Sequence, residues 1–303
     1  MGENNLIDRI FDKLLSPRVK LRSERFILGV AILSYLLHLG LILLANQDVI
    51  QIESKFFKNP IAAIYTPFSF ILLYEVYLLI FFLPKSISSY IGKQYEIITL
   101  IVIRRIFKDI ANLELSSNWF QIQSDLQFTY DAFTSLVLFI LIYWFYQNIA
   151  KRKEIFIEES DEEQNNMRKF IYLKKALSVL LVPLLLFLAI YTFVDWSIVV
   201  FNDYKNGIEA FNDMNNIFFD EFFTVLIIVD VLLLLASFFY SDKFHKIIRN
   251  SGFVISTILI KISFSVAGIV NNALIIGAVL FGFLILLIHN QFEKGAGHEQ
   301  QLE

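Results

Sequence analysis

Residues 72–112 read LLYEVYLLIFFLPKSISSYIGKQYEIITLIVIRRIFKDIAN, and residues 227–272 read IIVDVLLLLASFFYSDKFHKIIRNSGFVISTILIKISFSVAGIVNN. In each stretch an apolar segment carries one acid, Glu75 or Asp230. A short basic connection follows, 84–93 in the first and 241–249 in the second. A second apolar segment then carries bases: Arg104 and Arg105 in the first, Lys261 in the second. The length of chain between acid and base is nearly equal in the two. The pattern reads as an internal duplication with an acid–base pair inside each copy. The expected pairs are Glu75 with Arg104 or Arg105, and Asp230 with Lys261.

Composition says what surrounds these segments. The chain has 303 residues, 56% hydrophobic and 18% charged, with mean hydropathy +0.60. Soluble domains hold about 45–50% apolar and about 25% charged residues, so lipid is the expected solvent for most of this chain. Backbone in lipid must satisfy its own polar groups, which leaves helices or a closed barrel. The apolar runs are continuous rather than alternating, which selects helices. The net charge of −3 gives no electrostatic footprint for nucleic acid. With no cysteine, disulfides, thiolate metal sites and thiol nucleophiles are excluded. The histidines His38, His245, His289 and His298 are scattered, and only His38 lies well within an apolar run. No haem, metal or other cofactor is expected.

Eight spans follow from the runs at 26–45, 61–83, 95–113, 130–150, 171–194, 218–240, 252–270 and 273–289. The third is marginal alone. Its nine large apolar residues between Ile97 and Ile110 each favour insertion by about 0.3–0.6 kcal/mol. Arg104, Arg105 and Lys108 each oppose it by about 2.5–3.5 kcal/mol at the bilayer centre. Parity decides in its favour. The basic N-terminal segment and the Lys151-Arg152-Lys153 cluster both belong on the cytoplasmic side, so an even number of spans separates them. The acidic segment 195–216 reads as an external loop, and Asn271-Asn272 as a tight external turn.

The expected architecture is all-α and polytopic, with eight transmembrane helices as two parallel four-helix repeats. Residues 1–25 form an amphipathic, basic cytoplasmic segment that lies on the membrane surface. Repeat A covers 26–150, a polar cytoplasmic linker 151–170, and repeat B 171–291. A cytoplasmic tail, 292–303, ends in Leu302-Glu303, which reads as a cloning remnant. The chain belongs in a cell membrane, inner or plasma, with both termini cytoplasmic.

Intramembrane ionisable groups are functional candidates by default. Thr257, Lys261, Ser265, Gly268 and Asn272 recur at helical spacing and form one polar stripe. Arg104, Lys108 and Asn112 make a shorter stripe on the third span. The candidate pathway or charge-pair residues are therefore Glu75, Arg104, Arg105, Asp230, Lys261, Thr257, Ser265 and Asn272. A lone His38 reads as a hydrogen-bonded packing residue, and Asp220-Glu221 as acids at a helix start. Pro67 and Pro183 sit inside spans, where each can kink its helix. No nucleotide-binding loop, zinc-protease motif or nucleophile elbow occurs, and no soluble segment is long enough for a catalytic core. An enzyme is not expected. Movement of an ion or small solute between the repeats is the first functional reading. A non-catalytic scaffold, receptor or subunit of a larger membrane complex, in which the charge pairs are structural, is the second. Membrane lipids are the expected partners. Gly277, Ala278 and Gly282 offer close-approach surfaces for bundle packing or a homo-oligomer, and the linker could dock a partner protein.

Overall fold

The computed structural model describes residues 6–47, 60–110, 113, 122–152, 161–202, 204–240 and 244–299. Among these residues the chain is helical, with no strand. A short amphipathic helix, α1 (Leu6–Leu15), is broken by Ser16-Pro17. Ser16 accepts from Val19 N–H at 3.4 Å, and Pro17 occupies the first turn, where it needs no N–H partner. The basic residues 18–25 therefore belong to the long α2 (Pro17–Asn46). Helix α1 folds back against α6, where Asp8 meets Lys175 at 2.7 Å.

A 3₁₀ turn (Pro60–Ile64) leads into α3 (Tyr65–Phe82), then α4 (Ile87–Ile110) and α5 (Gln123–Arg152). The second half holds α6 (Asp161–Asn202), α7 (Tyr204–Tyr240), α8 (Phe244–Ser263) and α9 (Gly268–Glu299). Pro67 falls in the first turn of α3, so it starts that helix rather than bending its middle, whereas Pro183 does lie inside α6. The described residues of segment 195–216, expected as a loop, are helical, and so is the linker from Asp161 onward. Residues 153–160, the tail beyond 299 and the side chains of 195–217 lie outside the described residues. The acid-rich character assigned to that loop rested on those side chains.

Among the described residues, five helical stretches are long and apolar enough to cross a membrane: Leu6–Asn46, Asp125–Ala150, Asn165–Tyr191, Phe218–Tyr240 and Gly268–Gly295. Thr66–Phe82 is apolar but shorter. Many large apolar side chains point outward, among them Leu36, Phe133, Phe187 and Phe239. Water penalises such a surface and lipid does not. The more polar helices α4 and α8 occupy the interior instead. Twelve residues of α4 are buried, including Tyr90, Gln94, Tyr95, Thr99 and Arg104. Apart from α1, which packs on α6, each helix packs mainly on its neighbours in sequence, and the halves also join where α5 lies against α9, α4 reaches α8 and α9, and α3 meets α6.

The asparagine pair is not the final turn. Helix α8 ends at Ser263, and the chain reverses through 264–267 into Gly268. Gly268 has φ 68°, which only glycine adopts at little cost. Asn271 and Asn272 sit in the first turn of α9, and both are buried.

Candidate functional site

Three polar clusters are strung along α4. At its N-terminal end, Lys93 bonds Glu96 and lies 4.0 Å from Glu75 of α3. Glu96 also accepts from Tyr146 of α5. Glu75 therefore faces Lys93, not Arg104 or Arg105. Helix α4 begins at Ile87, so Lys93 lies on α4 itself, not in a connection before it, about three turns before Arg104, and it reaches α3 first.

At the other end Arg105 grips Asp131 of α5 with two bonds, Nε to Oδ2 at 2.9 Å and Nη2 to Oδ1 at 2.8 Å. Its remaining hydrogens reach Asn271 Oδ1 (2.6 Å) and Asn272 Oδ1 (2.9 Å). Asn272 Nδ2 and Gln127 Nε2 donate to Asp131 Oδ1 at 2.7 and 2.8 Å. Such a bidentate guanidinium–carboxylate pair, with further donors on Oδ1 of the buried Asp131 and a half-buried guanidinium, is a form in which an interior charge is tolerated. It ties α4, α5 and α9 together. Arg104, 1% exposed, lies with its guanidinium 5.5 Å from the ring centre of Phe219 on α7.

Between these ends is the third cluster. Asp230 of α7 accepts from Gln94 Nε2 of α4 at 3.1 Å, and Thr257 Oγ1 of α8 lies 2.9 Å from the same Oδ2. Thr257 Oγ1 also lies 2.8 Å from Gln94 Oε1. At the adjoining positions of the same two helices, Tyr95 Oη meets Ser256 Oγ at 2.9 Å. A cavity of about 10 Å³ abuts Asp230 and is lined by Tyr90, Asn250 and Phe253. That is about the least space that holds one water.

Lys261 does not reach Asp230. It pairs with the Asp220 carboxylate, nearer the N-terminus of α7 than Asp230, and donates to Asp220 O at 3.1 Å; because α7 already begins at Tyr204, Asp220 and Glu221 lie inside the helix and not at its start. Helices α7 and α8 run in opposite directions, so moving toward the C-terminus of α8 moves toward the N-terminus of α7. Of the expected stripe, Thr257 and Asn272 are buried in different clusters on different helices. Ser265 is exposed in the turn. The stripe was drawn through the end of α8. Asn112 lies outside the described residues. His38 bonds Thr66 Oγ1 at 2.6 Å, in line with a packing role.

One further group brings together histidines far apart in sequence. His245, His289 and Glu293 place ligand atoms within 4.8 Å of one another, and they are the one such group among the described residues that could hold a metal. Arg249 bonds His289 Nε2 at 3.0 Å. Its fixed positive charge and its hold on that nitrogen work against a bound cation.

Sequence reasoning missed Gln94, Asp131, Asn271, Lys93, Glu96 and Tyr146. Asp131 stands at the start of a span and reads as an interfacial residue. Gln94 serves a helix of the opposite half, and nothing local marks such a contact. The fold and clusters define an all-helical protein with several helices suited to a membrane and a hydrogen-bonded polar interior. Comparison with protein-family models, curated proteins and solved structures finds no match.

Proposed function

We propose that the chain moves an ion or small solute across a cell membrane through the α4–α7–α8 junction, with Asp230 as the exchanging group. The observation that carries this reading is the surroundings of Asp230. It is 4% exposed, its hydrogen-bond partners Gln94 and Thr257 are neutral, and none of the ion pairs among the described residues includes it. A buried carboxylate lacking a counter-charge costs several kcal/mol unless something positive joins it. A group in that position is suited to bind and release a cation.

In this reading eight helices cross the bilayer as two four-helix repeats in the same orientation, with both termini cytoplasmic, and the protein catalyses no reaction. The polar groups from Lys93 to Arg105 extend over about 18 Å of the α4 axis at roughly 1.5 Å per residue, more than half of a hydrocarbon core of about 30 Å. The glycines support the repeat. In α4 a Cβ at Gly92 would stand 2.8 Å from Tyr146 of α5, and in α8 a Cβ at Gly252 would stand 2.7 Å from Ile285 of α9. The third helix of each half thus yields to the fourth at one glycine.

A static scaffold is the second reading, favoured by the pairing of both Arg105 and Lys261 with carboxylates. Flux separates the two. Proteoliposomes should pass protons, alkali cations or a small anion faster than empty liposomes, as read by pH dyes and ion-selective electrodes. Asp230→Asn should lower that flux at least tenfold while melting like the parent. Undiminished flux in a well-folded Asp230→Asn protein would remove Asp230 from the pathway.

A further inference from the structure

Asp230, Thr257 and Gln94 close a triangle of three short contacts, and the hydrogens available do not fill it. The edges are Gln94 to Asp230 Oδ2 (3.1 Å), Thr257 Oγ1 to Asp230 Oδ2 (2.9 Å) and Thr257 Oγ1 to Gln94 Oε1 (2.8 Å). The threonine hydroxyl carries one hydrogen, for which Phe253 O on its own helix, 3.1 Å away, also competes. The amide directs a hydrogen along one edge and its oxygen along another. Turning the amide over exchanges those two edges and changes nothing in the total. Two hydrogens are thus supplied for three edges when Asp230 is ionised. One edge would then hold two oxygens about 3 Å apart with nothing between them, inside a site closed to bulk water.

We propose that Asp230 carries an exchangeable proton in this structure and that the proton is the ion bound at the junction. With hydrogen on Oδ2, Asp230 donates to Thr257 Oγ1. Thr257 donates onward to Gln94 Oε1, and Gln94 Nε2 donates back to Oδ2. The ring is complete, and the carboxyl is neutral where a charge would be expensive. Release breaks the Oδ2–H bond and passes the proton to a water in the adjoining cavity; uptake is the reverse, and no electrons move. The titratable groups facing Asp230 are the Tyr90 and Tyr95 phenols of α4. From α8 it meets Thr257 and the cavity-lining Asn250, neither of which titrates. Tyr90, 1% exposed, borders the same cavity with its phenol beside Asp230 and Gln94. It is placed to bond the water that receives the proton.

The transport use of this proton rests on the function proposed above, but its presence is measured without any flux. Infrared spectra of the full chain in lipid nanodiscs at neutral pH should contain a protonated-carboxyl stretch that moves to lower frequency in D₂O. Asp230→Asn should lose it. Thr257→Val should keep it at higher frequency, because the carboxyl then lacks its acceptor; this variant also retains the test if Asp230→Asn fails to fold. Identical carboxyl regions in all three proteins would overturn the proposal. So would a band that emerges only when sodium and potassium are withdrawn, which would place a metal cation in the ring instead. A band with no flux in proteoliposomes supports the proton and removes the transport reading. Flux without the band overturns the proton and leaves transport standing.

Discussion

Arg105→Leu should cost about 3 kcal/mol of stability, at the low end of what is lost when one member of a buried pair is removed. Asp131 is 0% exposed, and without the guanidinium it retains only the neutral donors Asn272 and Gln127. Asn271 and Asn272 lose a shared donor at the same time. Unfolding in mixed micelles, followed by helical circular dichroism, measures the loss. The double variant Arg105→Leu/Asp131→Leu should regain a large part of it, since no isolated charge is then left inside. A single variant as stable as the parent, or a double variant no better than the single, would mean the pair is not buried as described.

Gly282→Ala should be nearly as damaging, through volume rather than charge. A Cβ at Gly282 would stand 1.7 Å from the Tyr95 hydroxyl and 3.2 Å from Ser256 Oγ. Tyr95 is a rigid, fully buried ring held by that hydroxyl to Ser256, so it has nowhere to swing. Overpacking of this kind costs about 1–3 kcal/mol, to which the lost Tyr95–Ser256 bond adds. Tyr95→Phe removes the nearest obstructing atom and leaves the ring carbon Cζ at 2.9 Å, a far smaller overlap. Gly282→Ala in a Tyr95→Phe background should therefore cost far less than in the parent, a non-additivity that two melting curves and their double variant read directly. Additive effects would place α9 further from α4.

Much of the helical plan was legible from apolar runs, because length and hydropathy alone specify helices such as α5, α7 and α9. The ends of elements were less so. Asn271-Asn272 resembles a turn signal, yet the reversal falls where Gly268 permits positive φ, and the asparagines serve Arg105, Asp131 and the end of α8. Asp230 and Arg105 were marked as interior by their own setting in apolar segments. Their partners were not, since each partner is chosen by which helix lies alongside. Pairing within a repeat was the natural guess, but Gln94 serves the opposite half and Asp131 lies on the helix that follows Arg105. Antiparallel neighbours also send Lys261 to Asp220, an acid that reads as a helix start in sequence but lies inside α7.

The grip of Asp131 on Arg105 bears on how the protein is made. Under the eight-span reading, Arg105 leaves the ribosome before the aspartate that neutralises it has been synthesised. The nascent α4 is then too polar to settle in lipid by itself. It must wait at the translocon or the headgroup layer until α5 emerges and escorts it inward. A chain halted before residue 131 should leave α4 outside the bilayer, and glycosylation mapping of such arrested chains would find it there.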